Sequence, residues 1–233
     1  MDVCDFHAHI LPNADHGSSS VEESLKQLAL AKKFGVTRII ATSHFYPQSD
    51  NVQHYLAKRN DAYARLKALA PDGSPEVRLG AEVLLCPNLV NMAGLDELCV
   101  NGTKTRLIEL PFNDFAKEYI DAVEDIIAAG YEVVLAHAEC YEVEEVEEFI
   151  AIGAKIQLNA SALISFFKNP VIEDWKERGL VVAIGSDIHG SDKRAYKRFA
   201  TARKKLGEYL PYIKSFTDRV WDLSRDISLE TND

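Results

Sequence analysis

A chain of 233 residues, 47% hydrophobic and 27% charged, suits one ordinary globular domain with its own core. Its formal charge of -10 argues against a nucleic-acid binder, which needs a broad basic surface to neutralise phosphates. No run approaches the roughly eighteen apolar residues of a membrane span, and no basic segment followed by an apolar one opens the chain. Cys4, Cys86, Cys99 and Cys140 show no CxxC spacing and read as reduced thiols. A soluble, cytoplasmic protein without a signal peptide is expected.

Short apolar runs alternate with amphipathic ones. The first strand is expected at Val3–Phe6, followed by a helix over Val21–Phe34 with apolar Val21, Leu25, Leu28 and Leu30 and a stop at Gly35. Next come a strand at Val36–Ala41, a helix over Asn51–Leu69 and a strand at Val77–Leu84. Cys86–Thr103 is irregular, an insertion or a small helix. Strands at Thr105–Leu110, Glu132–Ala136, Lys155–Leu158 and Leu180–Ile184 then alternate with helices over Phe115–Ala129, Val143–Ile152 and Ala162–Arg178. Gly130, Gly153 and Gly179 close those three helices just before a new strand, the αβ join of an α/β fold. Seven strands with intervening helices imply a distorted (β/α)7, TIM-like barrel spanning residues 1–223. Lys193–Leu206 and Leu210–Leu223 read as terminal helices, and Ser224–Asp233 as a polar, frayed tail. The cationic run from Lys193 to Lys214 reads first as a solvated helix face. Its sharper reading is a patch steering an anionic substrate.

The histidines fall where such a barrel concentrates chemistry. His7 and His9 follow the first strand, His44 the second, His137 the fifth and His189 the seventh, with His16 in the loop after the first. Glu82 and Glu109 sit late in the third and fourth strands, and Asp187 directly after the seventh. A parallel barrel points all its strand C-termini at one face, so these groups converge there. Any one of them alone reads as a hydrogen-bonded strand-end residue. Together, imidazole and carboxylate groups at one mouth are ligands for Zn²⁺, Mn²⁺ or Fe²⁺, and clustered carboxylates need a cation to offset their repulsion. His-x-His places both rings on one strand face. Asp5 reads equally as an acceptor that fixes the tautomer of a ligand imidazole or as a strand-end acid facing solvent, and Asn159 as a polar site group or an ordinary turn residue. His54, on a helix, has no such placement.

These motifs resemble the polymerase-and-histidinol-phosphatase (PHP) superfamily, and within it the bacterial manganese-dependent protein-tyrosine phosphatases of capsule and exopolysaccharide synthesis. The likeness runs from Asp5 to Arg194 in order: Asp5-Phe6-His7-Ala8-His9-Ile10-Leu11-Pro12, Asp15-His16-Gly17, Glu22-Glu23-Ser24, Thr42-Ser43-His44, Gly80-Ala81-Glu82, Ile108-Glu109-Leu110-Pro111, Ala136-His137-Ala138-Glu139, Gln157-Leu158-Asn159 and Ser186-Asp187-Ile188-His189. The resemblance implies two or three divalent ions, manganese first. His7, His9, Glu82 and Asp187 match ligands of one part, and His44, Glu109 and His137 those of the rest. Glu82 bridges, while His189 and the position of His16 complete the shell. Arg194, with His189 and Asp187, falls in the catalytic group, Arg194 matching an arginine that meets the substrate phosphate.

Two positions depart from the pattern. His16 stands where the family has aspartate before glycine, which bears on the third metal. Cys140 stands where the family has an arginine that grips phosphate, and a thiol cannot replace that fork. The resemblance implies hydrolysis of phosphotyrosine in proteins, with a tyrosine-rich kinase tail as a partner. Other readings are a PHP phosphatase of a small metabolite such as histidinol phosphate, a phosphodiesterase, or a non-catalytic metal-stabilised binding protein. An amidohydrolase would want histidine where Asn159 stands. Metal identity, substrate and oligomeric state stay open.

Overall fold

The computed structural model describes residues 3–112, 116–165 and 169–226. In chain order the elements are β1 (Asp5–Ala8), α1 (Val21–Lys33), β2 (Arg38–Ala41), β3 (His44–Phe45), α2 (Val52–Leu69), β4 (Glu76–Leu79), β5 (Glu82–Leu84), β6 (Thr105–Glu109), α3 (Lys117–Ala128), β7 (Glu132–Leu135), α4 (Val143–Ala151), β8 (Lys155–Asn159), α5 (Pro170–Glu177), β9 (Val181–Gly185), α6 (Ala195–Lys205) and α7 (Leu210–Leu223). Every strand pairing is parallel, in the orders β1-β2-β4 and β3-β5-β6-β7-β8-β9.

One expected strand is broken in two: the third runs through β4, kinks at Gly80-Ala81 and resumes as β5. The second ends at Ala41 as expected, in β2, and past a kink at Thr42-Ser43 the chain adds a short strand, β3, beyond the expected bounds. Backbone bonds carry the ladder across the kinks, from Thr42 N–H to Ala8 O, Gly80 N–H to Ala41 O and Glu82 N–H to Ser43 O. The kinked carbonyls are capped from α2. Tyr55 Oη donates to Ser43 O at 2.8 Å and Arg59 to Gly80 O at 3.2 Å, so these two buried carbonyls are satisfied. Periodicity does not register such a break, because both halves keep their apolar residues.

The end of β9 meets the end of β1. Asp187 N–H donates to His7 O at 2.9 Å and His9 N–H to Ile188 O at 3.2 Å. The result is the distorted seven-position α/β barrel. Phe6, Ile40, Leu107, Val134 and Val182 form a core with Phe216, Val220 and Trp221 of α7. Arg38 and Arg78, at or near the starts of β2 and β4, lie against the Trp221 ring, so α7 covers the N-terminal end. The C-terminal mouth is left for chemistry. The surrounding helices bury a larger core that includes Leu28, Leu66, Val123, Phe149, Trp175 and Phe199.

Other boundaries shift. β1 extends to Ala8, so His7 lies within it. Instead of a helix over Ala162–Arg178 there is a 3-10 turn at Ala162–Ile164 and then α5, capped by the Asn169 side chain on Val171 N–H. Phe115, the expected start of α3, lies outside the described residues. Cys86–Thr103 holds two single 3-10 turns, Leu89–Asn91 and Leu95–Leu98. The tail is not frayed at its start. Arg225 N–H donates to Asn101 O, and Asp226 accepts from Tyr63 Oη and Lys67 Nζ; residues 227–233 lie outside the described set. No helix among the described residues is long and apolar enough to cross a membrane.

Close approach explains Gly185. A Cβ there would lie 2.5 Å from His7 Cβ and 2.9 Å from Gln157 Nε2, so β9 reaches β1 only without a side chain. Gly185→Ala should destabilise the fold by about 1–3 kcal/mol, as overpacking does. Urea denaturation measures this, and an unchanged midpoint would refute the close-packed seam.

Candidate metal centre

The kinks and the β9–β1 seam deliver their side chains to one point. His44 and Glu82 are register partners across β3 and β5, which sets their side chains side by side. The Glu82 carboxylate is fully buried among four imidazoles. Its Oε2 lies 3.2 Å from His7 Nε2, 3.2 Å from His9 Nε2 and 3.0 Å from His44 Nδ1, and its Oε1 lies 2.9 Å from His137 Nε2. Glu109 approaches from β6, 3.5 Å from His44 Nδ1 and 4.0 Å from His137 Nε2. Asp187 Oδ1 stands 3.7 Å from His7, 3.5 Å from His9 and 3.4 Å from His189. Ligand atoms gather in three overlapping sets: His7, His9 and Glu82; His44, Glu82 and Glu109; and His9, His44 and His189.

Hydrogen bonds outside the cluster aim the rings. His7 Nδ1 faces Gln157 Oε1 at 3.0 Å, and Gln157 Oε1 also accepts His137 N–H at 2.8 Å. His9 Nδ1 meets Asp15 Oδ2 at 2.7 Å. With those acceptors the Nδ1 atoms donate, and both Nε2 atoms turn inward, 3.0 Å apart. Gln157 Nε2 donates to Asn159 Oδ1, and Asn159 Nδ2 in turn donates to Asp187 Oδ2 at 2.8 Å. His137 (φ 33°) and Asp187 (φ 48°) are left-handed non-glycine residues, a conformation held only where the surroundings impose it.

The donor set fits divalent cations. Glu82 Oε2, Glu109 Oε2, His44 Nδ1, His137 Nδ1 and His189 Nε2 are buried yet align with no hydrogen-bond partner, although several lie close to opposite groups. Such orphaned lone pairs would be costly unless something binds them. The field also calls for positive charge. Burial pushes His7 and His9 down, but carboxylates outweigh it: Glu82 and Asp187 bring His7 to about 9, while Asp15 and Glu82 bring His9 to about 10. Burial raises Glu82 and Asp187, and the facing imidazoles more than reverse it, holding both below the usual carboxylate range.

Not every expected residue joins the cluster. His16 is exposed at the rim, its ring stacked 4.7 Å from those of His44 and His189 but outside the three ligand sets. Arg194 is exposed where α6 begins, and among the described residues no contact joins its guanidinium to the cluster. Asp5 does not orient a ligand ring. Its Oδ1 accepts Ser186 N–H at 2.8 Å and the His7 backbone N–H at 3.4 Å, and burial raises the carboxyl to about 6. Gln157 and Asp15 do that work instead. Both stand in quoted motifs, and the signal that could have found them is a polar residue two before Asn159 and an acid within the loop after His9. His54 pairs with Asp50 on the exposed face of α2, away from the site. Burial, Glu139 and Asp187 raise the Cys140 thiol to about 11, so it is protonated at neutral pH and no nucleophile. Of the cationic run, Arg198 pairs with Asp192 and Lys214 with Asp218, as on a solvated helix face.

Comparison with known proteins places this geometry. The family description "Capsular polysaccharide synthesis, CpsB/CapC" matches residues 3–212. The tyrosine-protein phosphatase CpsB of Streptococcus agalactiae serotype V is 26% identical over 215 residues, covering 82% of this chain and 85% of that protein. The tyrosine-protein phosphatase YwqE of Bacillus subtilis is 27% identical over 224 residues, covering 91% and 88%. Among solved structures, work on YwqE from B. subtilis and CpsB from Streptococcus pneumoniae, described as metal-dependent tyrosine phosphatases, gives a TM-score of 0.74 at 23% identity over 96% of each chain. With the fold shared end to end and the family description spanning nearly its whole length, this chain belongs to the CpsB/CapC family of capsular polysaccharide synthesis.

Proposed function

We propose that this chain is a metal-dependent phosphatase of phosphotyrosine in proteins. Two or three divalent ions, manganese foremost, are held by His7, His9, His44, Glu82, Glu109, His137, Asp187 and His189, with His16 at the rim. What carries the reading is the Glu82 carboxylate, buried among four imidazoles whose ring nitrogens face it. The likeness to named tyrosine phosphatases supports the substrate. Its protein partner is then a tyrosine-phosphorylated segment, a kinase tail being the natural candidate.

When bound, divalent ions supply Lewis acidity that offsets phosphoryl charge and makes hydroxide available at neutral pH. The chain's own residues position. Gln157 and Asp15 hold His7 and His9 in the tautomer that presents Nε2, and Asn159 fixes the Asp187 carboxylate. His189 and Asp187 are the more open members, so the phosphate enters on their side. Arg194, five residues beyond His189 and exposed, is the cation that meets the phosphoryl oxygens there. A tyrosine leaving group, with a pKa of about 10, departs with less acid assistance than an alkyl alcohol.

Mn²⁺-loaded protein should release phosphate from p-nitrophenyl phosphate and from a phosphotyrosine peptide, and a chelator should abolish both. Failure on both substrates with turnover of another ester would overturn the substrate assignment. His137→Ala should lose bound metal and turnover together by elemental analysis and assay; retained metal with full turnover would remove His137 from the ligand set. Gln157→Leu, which leaves His7 without its acceptor, should weaken metal binding about 10–100-fold in a competition titration, as loss of an outer partner does. Unchanged affinity would show that Gln157 orients nothing.

A further inference from the structure

Four large apolar side chains are exposed among the described residues: Leu69, Phe112, Tyr212 and Leu223. Leu69, Tyr212 and Leu223 lie on α2 and α7. Phe112 alone stands past a strand end at the barrel mouth, three residues after Glu109, and is 64% exposed. Its ring lies 6.1 Å from the His137 ring at an interplanar angle of 15°, and 5.2 Å from Tyr141 at 28°. Tyr141 is pinned in turn. Its hydroxyl donates to Leu110 O and accepts Leu110 N–H, both at 3.1 Å, and its ring lies 5.7 Å from His137. The segments after β6 and β7 thus share a fixed aromatic stack that ends on a metal-site imidazole and offers an uncovered face to solvent.

We infer that Phe112 is the shelf for the substrate's aromatic ring, so that this site selects aryl over alkyl phosphomonoesters. The inference rests on the phosphatase reading above. In an aryl phosphate one oxygen separates phosphorus from the ring, so a phosphoryl group at the metal centre obliges the ring to lie beside the ligand imidazoles. Phe112 is the exposed π-face at that place, and offset stacking over 4.5–7 Å is the spacing such rings prefer. An alkyl ester has no π-face to offer and gains nothing from the shelf. Tyr46 is the competing wall, stacked 5.1 Å from His44 at 15°, but it is less exposed.

Titration calorimetry of the metal-loaded protein with phenylphosphonate and methylphosphonate tests this without turnover. Phe112→Ala should lose roughly threefold to tenfold in phenylphosphonate affinity, the range of one aromatic pair, with methylphosphonate affinity and metal content unchanged. Phe112→Trp should restore the preference. The inference is overturned if both phosphonates weaken equally, if neither changes, if the wild type does not bind phenylphosphonate, or if Tyr46→Leu carries the loss instead. Hydrolysis of a phosphotyrosine peptide reports separately on the phosphatase reading. Aryl preference without that hydrolysis would sink the reading and leave the shelf standing.

Discussion

One buried carboxylate organises this molecule. Glu82 has no exposed surface, yet it faces imidazoles from β1, β3 and the end of β7 within 2.9–3.2 Å. Removing a carboxylate from water costs several kcal/mol, and a neutral imidazole whose lone pair points at it offers no compensation. The arrangement is tenable only if positive charge sits between them. Without metal, protons fill that role, which is why His7 and His9 are held well above the ordinary histidine range. Divalent ions would fill it while leaving the Nδ1 hydrogen bonds of His7 and His9 in place.

The barrel's irregularities serve that meeting. A regular strand through residues 77–84 would place Glu82 by simple alternation. Instead the breaks at Thr42-Ser43 and Gly80-Ala81 let β3 and β5 pair directly, His44 against Glu82. Tyr55 and Arg59 make the breaks affordable by capping their carbonyls. The same trade appears at the seam, where Gly185 gives up a side chain so that β9 can press on His7. Strain at His137 and Asp187 is likewise concentrated where Gln157 and Asn159 hold them. Local stability is conceded where ligands converge, and the core around Trp175, Phe149 and Phe199 stays conventional.

Much of this was legible in the chain. Alternating apolar runs with glycine stops gave the α/β barrel, because buried parallel strands and their helices impose distinct periods. The metal cluster followed from histidines at strand ends, since parallel strands share one C-terminal face. What could not be read was which polar group turns which ring. Asp5, two residues before His7, reads equally as an orienting acid or a solvent-facing one and is neither, because a side chain two residues along the same strand lies beside the ring and not behind it, here buried against Ser186 N–H. Gln157, which does face His7 Nδ1, is 150 residues away and reaches it only through the closed seam. The kink at Gly80-Ala81 escaped for a related reason: hydrophobic pattern records burial, and burial continues across it. Phe112 carried no signal, since an aromatic after a proline is ordinary until its neighbours are known.

The most direct measurement of the central claim is an anomalous difference map from crystals grown with Mn²⁺. This account predicts peaks within coordination distance of Glu82, one against His7 and His9 and another against His44 and Glu109. A map with no anomalous density at Glu82, or with manganese bound elsewhere on the surface, would contradict it.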